Sequence, residues 1–370
     1  VTSDTMSAVS PRLGSKAMLQ KLRDGRGPHW GPADRSTEER LGAGLEAVES
    51  ELQHTVSYLG DPRIAELTGH IAAAGGKRLR PLLVLLAAEF GQSQRRAVTG
   101  VAVIMELIHI ASLYHDDVMD AAATRRGVIS ANTRWGNRQA VRGGDWLLAR
   151  AAQRAADIGA EAVYHHSRAA VRLVEGQMRE LVGPASGEDP VEYYFEVIVG
   201  KTAELLATSL SLGAFYANAS AGYDAALRAY GMGLGAAFQI ADDLMDLLSP
   251  AEATGKEQGT DLRAGVLSLP VLLARADCSA QGAELRALVG TGPVTDRWAH
   301  RRALELFPRS PAVDQTRTIM RAHVSRARAA LASLPQIPAR TALNVLCDIV
   351  LDQTCEGTQP HTGRQGPGAP

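Results

Sequence analysis

The sequence predicts an all-α protein, on three observations. Proline is absent from Leu82 to Gly183 and again from Val191 to Ser249, which leaves room for long uninterrupted helices. Apolar residues recur at three- and four-residue steps, as in Leu41, Leu45, Val48, Leu52, Val56 and Leu59. Aromatic residues make up only 5% of the chain while Ala and Leu are plentiful, a balance that favours close-packed helices over sheets.

The elements follow from the punctuation. Residues 1 to about 38, rich in Ser, Gly, Pro and Arg without periodicity, read as a disordered extension, and 353–370 read as a disordered tail. Between them, 39–352 reads as one all-α domain. The Leu41 stripe places a first helix at roughly 41–59. Gly75-Gly76 and Gly91 then separate helices at roughly 63–74, 80–90 and 96–120. Gly127 and Gly136 precede helices at roughly 138–157 and 160–181, with Gly143-Gly144 a further break signal. Gly183-Pro184 and Asp189-Pro190 open a gap before roughly 190–218 and 221–248, and Ser249-Pro250 closes that run. Helices at roughly 267–290, 297–306, 312–333 and 339–352 complete the chain. No fixed-period repeat points to a solenoid.

Composition narrows the function classes. Hydrophobic residues at 45% suffice for a core in a chain of 370 residues, and a formal net charge of −1 argues against general nucleic-acid binding. Cys278, Cys347 and Cys355 show no metal-ligand spacing and read as reduced thiols in a cytoplasmic protein. No basic region followed by an apolar run marks a signal peptide, and charges interrupt the apolar stretches before membrane-spanning length, so a soluble protein without a membrane span is expected.

One motif occurs twice: Asp116-Asp117-Val118-Met119-Asp120 and Asp242-Asp243-Leu244-Met245-Asp246. Each ends a long apolar, Ala-rich run. Residues i and i+4 share a helix face, so Asp116 with Asp120, and Asp242 with Asp246, each present two carboxylates side by side. They repel each other, and the negative end of the helix dipole disfavours both. A cation must offset those costs, and hard oxygen ligands select magnesium or calcium. A lone acidic pair is more often a solvated helix face; the second copy decides for chemistry. Two such clusters facing one cavity suit several magnesium ions around a diphosphate.

Basic and polar points accompany them. Gly75-Gly76-Lys77-Arg78-Leu79-Arg80-Pro81 sets three cations just before a helix, the makings of an anion site, although alone it reads as a solvated turn. Thr124-Arg125-Arg126-Gly127 follows the first acidic cluster, suited either to grip a metal-bridged diphosphate or to form salt bridges with Asp116 or Asp120. His109 lies seven residues before Asp116 on roughly the same face, where a histidine is ordinarily a core residue. Gln177 and Lys201-Thr202 are polar points in apolar helical stretches.

Taken in order, these residues make the chain resemble the trans-prenyl diphosphate synthases, the polyprenyl synthetase family, over roughly residues 41–350. The series runs Gly75–Pro81, His109, Asp116-Asp117-x-x-Asp120, Arg125-Arg126-Gly127, Gln177, Lys201-Thr202, Phe238-Gln239, Asp242-Asp243-x-x-Asp246, Gly255-Lys256 and Asp261-Leu262-Arg263. The Leu113-Tyr114-His115 run resembles actinobacterial long-chain members.

The resemblance implies a bundle of long antiparallel helices around a deep central cavity, a homodimer, and head-to-tail condensation of isopentenyl diphosphate onto an allylic diphosphate with magnesium. It implies that Lys77, Arg80, His109 and Arg126 bind isopentenyl diphosphate. Arg125, Lys201 and Lys256 then hold the allylic diphosphate, with Thr202 and Gln239 also at the substrates. Asp116, Asp120 and Asp242 become principal metal ligands, with Asp117, Asp243 and Asp246 supporting. Two positions depart from the family pattern: Val266 stands where many relatives carry Lys, and Arg142 where an apolar residue is expected.

Product length should depend on what blocks growth below Asp116. One helical turn rises about 5.4 Å, close to one isoprene unit, so positions four and five before Asp116 form the first floor. They hold Ser112 and Ala111, both small, with Ile108 below. A long product, about six to ten isoprene units, is expected on this spacing. Geranylgeranyl diphosphate synthesis is the main alternative, and a partner-dependent subunit of a heteromeric synthase another. A class I terpene cyclase would carry a different second metal motif and would not need the Gly75–Pro81 cations.

Overall fold

The computed structural model describes residues 20, 22, 32–57, 60–250, 257–290 and 292–354. Helix α1 runs Pro32–Ser57, α2 Pro62–Ala73, α3 Leu79–Ala88 and α4 Arg96–Met119. A minimal hairpin pairs Thr124–Arg125 (β1) with Val128–Ile129 (β2), and α5 Ala131–Trp135, α6 Asn137–Ile158 and α7 Ala160–Val182 follow. Next come α8 Pro190–Ile198, a π-helical turn at Val199–Ala203, α9 Glu204–Tyr216 and α10 Asp224–Leu248. Short helices α11 Thr260–Ala264, α12 Leu269–Ala276, α13 Ala283–Val289 and α14 Arg297–Leu306 precede α15 Pro311–Ala330 and α16 Pro338–Asp352. The all-α expectation holds.

Local chemistry sets the helix starts. Asp61 and Asp189 each precede a proline in the first turn and accept a backbone N–H two residues on, from Arg63 at 2.9 Å and from Val191 at 2.8 Å.

Six elements differ from expectation, two of them the short helices α5 and α11, which no sequence signal marked. Helix α1 begins at Pro32 rather than near 41. Tertiary contact explains it: Arg40 pairs with the half-buried Glu89 and donates to the buried Thr37 at 2.9 Å, ordering a stretch whose composition is polar. The run at 190–218 contains the π turn. The helix expected over 267–290 is broken, because Asp277 accepts Ser279 N–H at 2.9 Å and Ser279 Oγ accepts Gly282 N–H at 3.0 Å, turning the chain between α12 and α13. Strands two residues long are too short to show alternation, so the hairpin had no sequence signature.

The chain divides into two compact units, Val1–Ala236 with His323–Cys347, and Ala237–Ala322 with Asp348–Pro370. In the first, α4 is the central helix, with α6 its most extensive neighbour and α3, α9 and α1 also against it. Nearly every residue of α4 from Val98 to Tyr114 is buried, which requires a helix apolar all round. This corrects one sequence expectation. Arg96–Met119 and the run Pro190–Tyr216 are long and apolar enough to cross a membrane, but both are mostly buried inside the protein, as core helices are. In the second unit, Leu244, Leu247, Leu262, Leu269 and Val271 are buried, and His300 Nε2 meets Gly259 O at 2.9 Å across a loop.

Candidate active site

The last turn of α4 carries the first acidic cluster. Asp116 is half-buried, while Asp120 caps the helix in solvent, its N–H donating to Asp116 O at 2.8 Å. Gln177 of α7 donates its Nε2–H to Asp116 Oδ1 at 2.6 Å. Burial pushes the Asp116 carboxyl up to about 6; Lys201 opposes that rise and Asp120 reinforces it. The Lys201 ammonium pairs with Glu180 of α7 at 2.5 Å. Burial pulls Lys201 down, but Glu180 and Asp116 outweigh it and hold the ammonium above the ordinary lysine value. These residues form one electrostatic unit, brought together from α4, α7 and the π turn.

The π turn Val199–Ala203 explains how Lys201 arrives there. An extra residue per turn widens the helix and redirects one side chain, a distortion frequent at functional sites. It is held by a close approach of backbones. A Cβ built on Gly176 would stand 2.5 Å from Lys201 N and 3.0 Å from Gly200 C, and one on Gly200 would stand 2.8 Å from Arg172 O. Only glycine at both positions lets α7 reach the turn. Thr202, next to Lys201, is buried.

Asp117 plays a different part. It is fully buried, and Arg125 of β1 brings both Nε and Nη2 to its Oδ1 at 2.6 Å. This pair ties the hairpin to the end of α4. The salt bridge expected for Arg125 therefore exists, with Asp117 rather than Asp116 or Asp120.

A second cationic group lies around the start of α3. Arg78 takes a left-handed conformation, φ 49°, and its guanidinium makes five hydrogen bonds, to Glu49 twice, Glu106, Gly75 O and Ala72 O. All five N–H donors are matched, which leaves Arg78 structural. Arg126, also left-handed at φ 52°, donates to Ile71 O at 3.2 Å and to Gly75 O. Burial lowers the pKa of Arg126 and brings that of Arg80 to about 10, with Glu106 opposing both shifts. His109 is held well below the ordinary histidine value by burial and then by Arg80 and Arg126, so its imidazole is neutral. Arg80 and His109 nonetheless keep accessible surface. Lys77 is half-exposed beside them in sequence.

In the second unit Asp242 is half-buried and Asp243 buried. Asp243 accepts from Gln239 Nε2 at 3.0 Å and from the backbone of Leu269 at 3.4 Å. Asp246 accepts from Thr260 Oγ1 at 2.6 Å, Thr260 N at 3.2 Å and Asp261 N at 3.1 Å. Both therefore organise the start of α11 and α12. Lys256 and Gly255 lie outside the described residues. Val266 joins the same loop through its N–H to Asp261 O at 2.9 Å. Arg142 is solvent-exposed on α6, which removes the objection to a charge there.

Of the proposed chain-length positions, Ala111 and Ile108 are completely buried, and Ser112 is 7% exposed with its hydroxyl donating to His109 O at 2.9 Å.

Among the described residues no three His, Cys, Asp or Glu side chains are grouped to hold a metal ion. The carboxylate pair Asp116/Asp120 still fits magnesium. That ion keeps several waters and is commonly held by one or two carboxylates plus substrate phosphates. A cation would also relieve the burial cost at Asp116.

Glu106, Glu180, Gly176 and Gly200 escaped the sequence reading. A lone Glu within the apolar run Val98–Tyr114 is a legible signal for the first; nothing in the sequence marks the glycine contact or the π turn.

Comparison with known proteins gives a concordant picture. A sequence model of the family described as Polyprenyl synthetase matches residues 61–306. Nonaprenyl diphosphate synthase of Mycobacterium tuberculosis is 40% identical over 312 residues, covering 84% of this chain and 92% of that protein. Heptaprenyl diphosphate synthase component 2 of Geobacillus stearothermophilus is 36% identical, covering 82% and 93%. The crystal structure of geranylgeranyl pyrophosphate synthase from Corynebacterium glutamicum, complexed with calcium and isoprenyl diphosphate, superposes with a TM-score of 0.77 at 37% identity, covering 88% of this chain and 99% of that one.

Proposed function

Since this chain belongs to the polyprenyl synthetase family and is a trans-prenyltransferase, we propose that it condenses isopentenyl diphosphate head-to-tail onto an allylic diphosphate with magnesium, releasing a long-chain polyprenyl diphosphate. The observation that carries this is the half-buried Asp116, with Asp120, Gln177 and Lys201 converging on it. Magnesium, when bound, stabilises the charge that develops on the departing diphosphate. Asp116, Asp120 and Asp242 are its ligands in this reading. Asp117 contributes through Arg125, and Asp243 and Asp246 through the loop they order.

Lys201 holds an oxygen of the same diphosphate and exchanges Glu180 for it on binding. Such a preset cation stabilises the leaving group without reorganising when the bond breaks. Arg80, Arg126, Lys77 and the neutral His109 hold isopentenyl diphosphate, so its double bond lies near the allylic carbon and gains from proximity. Apolar side chains of α4 keep water from the allylic cation. The proton lost after attack passes to the departing diphosphate.

Two supports favour a long product: the small side chains at Ala111 and Ser112, and the nonaprenyl and heptaprenyl products named for the relatives. The geranylgeranyl pyrophosphate synthase structure favours a shorter one. The deciding experiment incubates purified protein with labelled isopentenyl diphosphate, magnesium and farnesyl or geranylgeranyl diphosphate, and sizes the products. A ladder to thirty carbons or more supports the long-chain reading, and a single twenty-carbon product replaces it. Absence of turnover by the purified chain would make it a partner-dependent subunit, in keeping with the component relative. In a chain that elongates, Ala111→Phe shortens the product distribution; an unchanged distribution removes Ala111 from the product's path.

We also place the enzyme in the cytoplasm as a homodimer. Tyr164, Val171, Val174, Met178 and Leu181 are exposed along one stripe of α7 at three-, four- and seven-residue steps, the pattern of a helix face that packs on another. Sedimentation at micromolar concentration checks the stoichiometry.

A further inference from the structure

Glu106 is 1% exposed in the middle of α4, three residues before His109 and so on nearly the same face. A charge buried there is costly unless it is paired. Its Oε1 accepts from Arg78 Nη1 at 3.0 Å and lies 3.7 Å from Arg126 Nη2, an ion pair without a hydrogen bond. Its Oε2 is buried and accepts no hydrogen bond from the described residues; Arg80 Nε is likewise buried and donates none. Glu106 raises the pKa of Arg78, Arg80 and Arg126 alike. Arg78 and Arg126 therefore share one carboxylate, anchored on a core helix of the unit, and Arg80 feels its charge.

We propose that Glu106 is a positioning residue for isopentenyl diphosphate: it fixes Arg126 and Arg80 in the arrangement that receives the diphosphate. This rests on the assignment of Arg80, His109 and Arg126 to that substrate. Three enclosed guanidinium groups repel one another and, without a fixed counter-charge, swing apart toward water. Arg78 would keep Glu49 as its carboxylate partner, beside Gly75 O and Ala72 O. Arg126 would keep only backbone acceptors, Ile71 O and Gly75 O, and Arg80 would have no acidic neighbour drawing it inward. Glu106 touches neither substrate in this account; it acts through the arginines.

A rival reading makes the opposite prediction. If Glu106 merely dilutes the positive charge of the pocket, neutralising it strengthens anion binding. Glu106→Gln keeps the size and an oxygen for Arg78, but removes the charge and sets an N–H toward the arginines. The proposal expects KM for isopentenyl diphosphate to rise about tenfold or more, the scale of losing a charge-assisted contact. KM for the allylic diphosphate should stay within about twofold, because Lys201 and the Asp116 cluster are untouched. Glu106→Asp, which restores the charge on a shorter arm, should recover most of the loss.

The measurement is steady-state kinetics with each substrate varied in turn, magnesium held in excess, and thermal melts run in parallel. A lowered or unchanged KM for isopentenyl diphosphate overturns the proposal, as does an equal rise in both KM values. Should Glu106→Gln not fold, Glu106→Met, which removes the charge at similar size, is read in its place, with a selective rise in the isopentenyl diphosphate KM as support and no selective rise as refutation. The wild-type protein separates this result from the underlying assignment: if Arg80→Ala and Arg126→Ala leave its isopentenyl diphosphate KM unchanged, that assignment fails first.

Discussion

Asp116→Asn reduces turnover by at least about a thousandfold, the scale of removing a principal charge-stabilising group from a transition state, and at the same time stabilises the metal-free protein. The second half follows from burial. The Asp116 carboxyl is pushed up to about 6 from an ordinary value of 3.8, burial being the largest cause. Its charged form is thus disfavoured in the fold relative to the unfolded chain. Between those two values the folded state holds the proton that the unfolded chain has lost, so stability falls as pH rises. The contribution is most favourable below pH 3.8 and is lost as pH passes about 6.

Asparagine carries no charge, keeps an oxygen for Gln177, and removes that slope. At pH 7.5 the variant should melt roughly 3 °C higher than wild type without metal, and adding magnesium should shrink the difference. Melting curves at pH 4.5 and pH 7.5, with and without magnesium, check this. A variant less stable than wild type at the higher pH would show that Asp116 is held by its partners more than it is penalised by burial.

Gly176→Ala should cost activity by about a hundredfold, the effect expected when a catalytic group moves by an ångström, although residue 176 touches no substrate in our reading. The added Cβ would fall 2.5 Å from Lys201 N and 3.1 Å from Val197 O, both backbone atoms that no side-chain rotation can move aside. Either α7 retreats from the π turn or the turn rewinds into an α-helix. Both outcomes displace Lys201 from Asp116. Overpacking of this kind costs about 1–3 kcal/mol of stability, which a protein of this size survives. The decisive readout is kcat, since the group lost acts on the departing diphosphate. A variant with wild-type kcat would detach the glycine contact from Lys201 placement.

Much of this architecture is legible in the residues, for a physical reason. Helices are local objects, so Asp61-Pro62 and Asp189-Pro190 announce their starts, and the absence of proline over long stretches marks their length. The carboxylate pair on α4 is local too, because i and i+4 share a face whatever surrounds them. Burial changed several readings of the same residues. Asp117 and Asp243 look like Asp116 and Asp242 in sequence, yet each is buried against its own partners, Arg125 for one and Gln239 with Leu269 for the other. A one-residue step around a helix turns a side chain by about 100°, and that rotation separates a carboxylate facing the site from one facing the scaffold.

The sequence by itself determined the all-α class, most helix boundaries, the paired aspartates and the order of cationic motifs that places the chain in its family. Those properties depend on periodicity and spacing within about a turn or two of helix. Tertiary structure alone decided that α1 begins at Pro32, that Lys201 stands on a π turn wedged against Gly176, and that Glu106 is shared by Arg78 and Arg126. Each depends on which segments, distant along the chain, approach closely enough to exclude water. There an unpaired charge or one extra methyl group costs more than any local preference can offset.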